Sequence, residues 1–170
     1  MKVFLIGFMG CGKSTKAKQL SNYLNYPLFD IDNLIEKEAQ MPISDYFKLH
    51  GESAFRILEK HVLQNHPFPE HAIIATGGGL PCFFNNMKWM NAQGITVYLE
   101  MHPKQLVSRL GNRHKRPLIK DMDDVQLLSF IETKLKERET FYKQATLSLN
   151  AFDLDLAQLA STLNLTSLPK

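Results

Sequence analysis

Cysteine is scarce in this chain: there are two in 170 residues, and one of them, Cys11, lies inside a glycine-rich loop. Two thiols so placed build no disulfide framework, and their scarcity fits a reducing compartment. Long apolar runs are missing as well. None approaches the ~20 residues needed to cross a bilayer, which argues against a transmembrane helix. The first apolar stretch is short and passes directly into the glycine loop, so no secretory leader is expected and the chain reads as cytoplasmic. Metal-ligand spacing is also absent, since His61, His66 and His71 recur at five-residue steps and share no helix face. There are no internal repeats, low-complexity tracts or linkers. Charge is nearly balanced, at a formal net +3. Arg109, Arg113, Lys115, Arg116 and Lys120 crowd into one segment, but no aromatics are interleaved with them, so nucleic-acid binding is not expected. What remains is an ordinary globular composition, 44% hydrophobic and 22% charged. It is sized for a single domain over residues 1–170.

The most informative stretch that is present is Gly7-Phe8-Met9-Gly10-Cys11-Gly12-Lys13-Ser14, a complete G-x-x-x-x-G-K-[ST] loop followed by Thr15. Val3-Phe4-Leu5-Ile6 before it is a β-prone apolar run, and Ala17, Leu20 and Leu24 after it repeat at helical spacing. Strand, glycine loop and helix together aim backbone N–H groups into one concavity at a helix N-terminus, where a polyphosphate is stabilised. Lys13 would neutralise the β- and γ-phosphates and the Ser14 hydroxyl would ligate Mg²⁺. Cys11 reads either as a somewhat acidic thiol beside Lys13 or as a small residue that fits the loop.

Further along, Pro27-Leu28-Phe29-Asp30-Ile31-Asp32 reads as a second strand ending in carboxylates. Residues 33–66 read as helical, broken near Met41-Pro42 and at Gly51. Ala72-Ile73-Ile74-Ala75 is a third strand running into Thr76-Gly77-Gly78-Gly79, and Ile95-Thr96-Val97-Tyr98-Leu99 a fourth. Helices are expected over 85–92, 103–110 and 123–142, then a fifth strand near 145–149. A last helix is expected with Asp153 as N-cap and Leu156, Leu159, Ala160 and Leu163 facing inward. Continuous apolar strands alternating with helices predict an α/β fold, a parallel sheet covered on both faces. Ligands of such sheets bind at the carboxyl ends of the strands, where the glycine loop, Asp30, Asp32 and the triple glycine would collect.

Asp30 and Asp32, two apart in an extended run, would point to one side. Beside a phosphate loop this suggests one carboxylate serving Mg²⁺ and the other orienting an acceptor hydroxyl; the alternative is that Asp32 only caps the next helix. The third strand ends in Thr76 and glycines, not in an acidic residue, and no Asn-Lys-x-Asp motif follows, which argues against GTPase switches and motor ATPases. Gly77-Gly78-Gly79 could present N–H groups to a ligand oxygen or be a plain turn. Arg138 falls in the middle of a stripe of Leu127, Leu128, Ile131, Leu135 and Tyr142, so its guanidinium needs an anionic partner. A substrate carboxylate or phosphate is one candidate and a structural ion pair with Glu59 the other. Periodicity leaves Arg56 as a surface charge. Gly111-Asn112-Arg113-His114-Lys115-Arg116-Pro117-Leu118 reads as a lid over phosphates or as an exposed loop.

Taken together, these residues resemble the shikimate kinase family. The likeness is carried by Gly7 to Thr15, Phe29-Asp30-Ile31-Asp32 with Ile35-Glu36, Ile43 to Phe47, and Gly51-Glu52 with Phe55-Arg56 and Glu59. Thr76-Gly77-Gly78-Gly79, Arg116-Pro117-Leu118 and Glu137-Arg138 with Tyr142 complete it. The resemblance implies a three-layer P-loop kinase fold with a five-stranded sheet in the order 2-3-1-4-5. It implies transfer of the ATP γ-phosphate to the 3-hydroxyl of shikimate, in the chorismate pathway to aromatic amino acids. ATP and Mg²⁺ would be the cofactors and a monomer the working unit. In that scheme Gly10, Cys11, Gly12, Lys13, Ser14, Thr15, Arg109 and Arg116 bind nucleotide, with Arg109 against the adenine. Ser14 and Asp30 serve Mg²⁺, and Asp32 is the base. Arg56, Arg138, Gly78 and Gly79 hold the substrate, with residues 33–62 as the substrate-binding segment and 111–124 as the lid. Gln40, the pair Ala17-Lys18, Asp45 and the run Asn150-Ala151-Phe152-Asp153 depart from the family's usual pattern. A gluconate or nucleotide kinase of the same fold, or a non-catalytic nucleotide-binding regulator, is the alternative.

Overall fold

The computed structural model describes residues 1–112 and 118–163. Five strands are described: β1 (Lys2–Ile6), β2 (Leu28–Asp30), β3 (Ala72–Ala75), β4 (Gly94–Glu100) and β5 (Leu147–Asn150). They form one parallel sheet in the order β2-β3-β1-β4-β5, with Val3 beside Ile73 on one side and Ile95 on the other. The intervening helices are α1 (Lys13–Leu24), α2 (Ile31–Ala39), α3 (Ile43–Asn65), α4 (Asn86–Gln93), α5 (Pro103–Arg109), α6 (Asp124–Tyr142) and α7 (Leu156–Thr162). None of them is long and apolar enough to cross a membrane.

Strand alternation divides the core in two. Val3, Leu5, Ile73, Val97 and Leu99 pack under Leu20 of α1, Leu106 of α5 and Leu159 of α7. Phe4, Ile6, Ile74 and Tyr98 face the other way, against Ile31, Ile35, Phe55, Leu63, Met87 and Met90. Both faces of β1 and β3 are therefore buried, which is why they read as unbroken apolar runs. Helix α6 passes from one layer to the other. Leu127 and Ile131 belong to the first core and Tyr142 to the second, while Leu135 touches both. That passage carries Arg138 to the boundary between the layers.

Local chemistry sets the helix ends. Asp123 and Gln126 form a reciprocal capping box at the start of α6, and His102 and Gln105 do the same for α5 behind Pro103. Gly51, at φ 76° and ψ 175°, kinks α3 where the sequence placed a break. Two expectations are corrected. The second strand ends at Asp30, and Asp32 lies in the first turn of α2, because the Asp30 side chain caps that helix by accepting from the Asp32 amide at 3.0 Å. The N-cap of α7 is Asp155, not Asp153. A 3-10 turn at Leu80–Cys82 had no counterpart in the apolar pattern.

Candidate active site

At the carboxyl edge of the sheet the glycine loop, the β2 carboxylates and the turn after β3 enclose a cleft of about 350 Å³. Gly10 and Gly12 adopt φ of 82° and 96°, a left-handed backbone that side chains disfavour. Gly12 is the N-cap of α1 and offers no side-chain bond. The first helical hydrogen bond runs from Lys16 N to Gly12 O, and the amides of Lys13, Ser14 and Thr15 bond no acceptor among the described residues. Those donors add to the positive end of the helix dipole. The Lys13 ammonium rests against its own loop, donating to Gly7 O at 2.8 Å and Phe8 O at 2.9 Å. Cys11 is buried, with its sulfur 3.8 Å from Lys13 Nζ. Arg109 comes across the loop, with Nη2 3.3 Å from where a Cβ of Gly12 would stand. Arg116 lies outside the described residues.

Asp30 and Asp32 both line the cleft, although the reason given by the sequence, an extended run, does not hold for Asp32. Burial is the largest cause raising the Asp32 carboxyl above its ordinary range, and the Asp30 charge adds to it, while Lys13 and Arg56 oppose it.

The second half of the site is organised by the three glycines after Thr76, whose hydroxyl is fastened to Leu5 O at 3.1 Å. Together the three glycines let four charged groups approach the backbone. A Cβ on Gly77 would stand 2.9 Å from Asp32 Oδ1 and 3.2 Å from Glu59 Oε1. One on Gly78 would stand 3.5 Å from Arg138 Nη1, and one on Gly79 2.8 Å from Arg56 Nη2. The turn is thus a docking strip for a carboxylate pair and two guanidiniums. Tyr142 secures it, donating its hydroxyl hydrogen to Gly78 O at 2.5 Å.

Arg56 is far from a surface charge. Its side chain is 12% exposed. Nη1 donates to Glu59 Oε2 at 2.8 Å, and Nε and Nη2 donate to Glu52 Oε1 at 3.3 and 3.2 Å. Glu59, 1% exposed, pairs with Arg56 and not with Arg138. Burial pushes the Glu59 carboxyl up to about 7, and Arg56 only partly offsets it. Arg138 is half-buried, 5.5 Å from the centre of the Phe8 ring, and forms no ion pair with a carboxylate among the described residues. Periodicity missed the Arg56 pocket because it counts apolar positions. The spacing of Glu52, Arg56 and Glu59, at i, i+4 and i+7 on one helix, was the signal that could have found it.

The shikimate kinase family model matches residues 9–163. The chain is 42% identical over 146 residues to the shikimate kinase of Bacteroides fragilis, covering 85% of this chain and 82% of that protein. Among solved structures, shikimate kinase from Bacteroides thetaiotaomicron superposes with a TM-score of 0.90 at 35% identity, covering 97% of this chain and 99% of the other. Shikimate kinase from Acinetobacter baumannii, solved in complex with shikimate, superposes with a TM-score of 0.81 at 28% identity, covering 96% and 90%. With the strand order in agreement with this similarity, the chain belongs to the shikimate kinase family.

Proposed function

We propose that the cleft binds ATP on the glycine loop and seats shikimate between Arg56 and Arg138, so that the γ-phosphoryl passes to the 3-hydroxyl. The observation that carries this reading is the convergence of Asp32, Arg56 and Arg138 on one glycine turn beside the phosphate loop. Gly10, Cys11, Gly12, Lys13, Ser14 and Thr15 hold the phosphates, and Arg109 lies against the adenine. Two guanidiniums suit the substrate carboxylate, and Gly78 and Gly79 let the ring approach the backbone. Asp32 aligns the attacking hydroxyl and takes its proton as the new P–O bond forms and ADP leaves. A carboxyl whose proton affinity is raised by burial is better matched to that task.

The Ser14 hydroxyl and the Asp30 carboxylate are hard oxygen donors of the kind Mg²⁺ takes, the latter through water. That ion would supply charge neutralisation at the phosphates. Residues 33–62 form the substrate-binding segment and 111–124 a lid that brings Arg116 to the phosphates, all within one domain. The protein acts as a cytoplasmic monomer, without a nucleic-acid or membrane partner. The test is ADP release measured with shikimate, gluconate and nucleoside monophosphates as acceptors. Strong stimulation by shikimate alone is expected, and preference for another acceptor removes the reading.

A further inference from the structure

Phe83 follows the 3-10 turn, and its ring centre lies 4.2 Å from Cζ of Arg56, the nearer of two aromatic faces against that guanidinium. The backbone that carries the ring is fastened to α4 and to the 3-10 turn. Phe83 O accepts from Asn86 N at 3.3 Å, and the buried Asn86 side chain donates to Leu80 O at 3.0 Å. The next residue, Phe84, is exposed yet sits at φ 52°, a backbone region that bulky side chains seldom occupy. Such local strain persists only where the surroundings impose it. Here it turns the chain into α4 while leaving Phe83 on the arginine.

The donors of Arg56 are equally constrained. A guanidinium has five N–H groups in one plane. Glu52 takes those on Nε and one on Nη2, and Glu59 takes one on Nη1. Two N–H groups remain, one on each terminal nitrogen. With a face covered by Phe83 and with Gly79 admitting the group against the backbone, those two donors are confined to a fixed plane. A planar two-oxygen acceptor meets them both. A neutral ester gains much less from them.

We propose that Phe83 is a positioning and specificity residue: it fixes the guanidinium plane of Arg56 and so sets the preference for a carboxylate over an uncharged acceptor. This rests on the reading of Arg56 as a ligand of the substrate carboxylate. The stack is an aromatic-face effect and not a matter of filling space, so leucine cannot replace it. Phe83→Leu raises the KM for shikimate roughly tenfold, equivalent to about 1.4 kcal/mol and within the range of a partly desolvated cation–π contact. The kcat and the KM for ATP stay within about twofold, because the ring touches neither phosphate nor base.

The experiment measures both KM values and kcat for the whole protein and for Phe83→Leu and Phe83→Tyr, with shikimate and with its methyl ester. Phe83→Tyr is expected to keep the low KM, and Phe83→Leu to leave the KM for the ester where it was. Wild-type affinity in Phe83→Leu would overturn the proposal, since volume would then suffice. An equal loss for acid and ester would overturn it too, since Phe83 would then only shape the cleft. Leucine stays apolar but is smaller than the ring, so melting curves check that the variant folds, and Phe83→Tyr, which keeps ring and bulk, carries the comparison independently. Failure of the functional reading looks different: shikimate would then not stimulate the unsubstituted protein at all.

Discussion

Replacing Glu59 by glutamine tests the electrostatics of the site without moving an atom of its frame. The glutamate is 1% exposed, and its carboxyl is pushed up from 4.5 to about 7, chiefly by burial. A carboxyl that binds its proton more tightly when folded adds stability that is complete below the unfolded value. That stability is lost as pH rises through the folded one, because the unfolded chain then releases the proton first. The gap between 4.5 and about 7, at about 1.36 kcal/mol per pH unit, sets the loss at about 3 kcal/mol between pH 4.5 and 8. Glutamine resembles the protonated acid and does not titrate, so the stability of the wild type minus that of Glu59→Gln should fall by this amount over that window. Taking the difference cancels the contributions of groups common to both proteins.

The assay is urea unfolding of the ligand-free protein at pH 5, 6, 7 and 8, followed by circular dichroism. About 2.5 kcal/mol of that loss falls between pH 5 and 8, so with a slope of about 2 kcal/mol per molar the midpoint difference should change by about 1.2 M across the series. A difference that stays flat would mean that Arg56 fully compensates the buried charge. A difference that grows with pH would reverse the argument, because attraction by Arg56 would then outweigh desolvation.

Two further substitutions probe the base and the sheet. Asp32→Asn keeps shape but cannot take a proton, so kcat should fall about 10²- to 10⁴-fold while ATP still binds by calorimetry; full activity would remove Asp32 as the base. Gly94 starts β4 with extended backbone, and a Cβ there would collide with Lys2 O and stand 2.9 Å from Lys2 C. Gly94→Ala should therefore force β1 and β4 apart and destabilise the fold by about 3 kcal/mol in urea unfolding, and an unchanged midpoint would refute that close approach.

The sheet was legible because its strands are short apolar runs bounded by polar or glycine residues. Ala72–Ala75 is the stretch the sequence marks, and the helix breaks after Met41 and at Gly51 fall where proline and glycine stand. The phosphate loop was legible for a related reason, since backbone donors need glycines at fixed spacing whatever surrounds them. The substrate side was not. Arg56 is polar in any hydropathy window, yet two carboxylates and an aromatic ring from another element bury it. Asp32 was placed on a strand because an extended run of two residues and a helical first turn look alike until the capping bond of Asp30 decides between them. The triple glycine reads in the sequence as an N–H donor turn or a plain one, and in three dimensions it admits charged side chains by close approach.

Charge counting links the two halves of the site. Lys13, Arg56 and Arg138 approach Asp30, Asp32 and Glu59 around the cleft, and Arg109 also lines it. The burial that raises both Asp32 and Glu59 shows how poorly this region tolerates further negative charge. A nucleotide triphosphate brings several negative charges and the substrate carboxylate one more. The helix dipole of α1, Arg109 and a divalent cation offset part of this. Arg113, Lys115 and Arg116 are the next cationic cluster along the chain. On the proposed function, positive charge of this kind is what a loaded cleft requires.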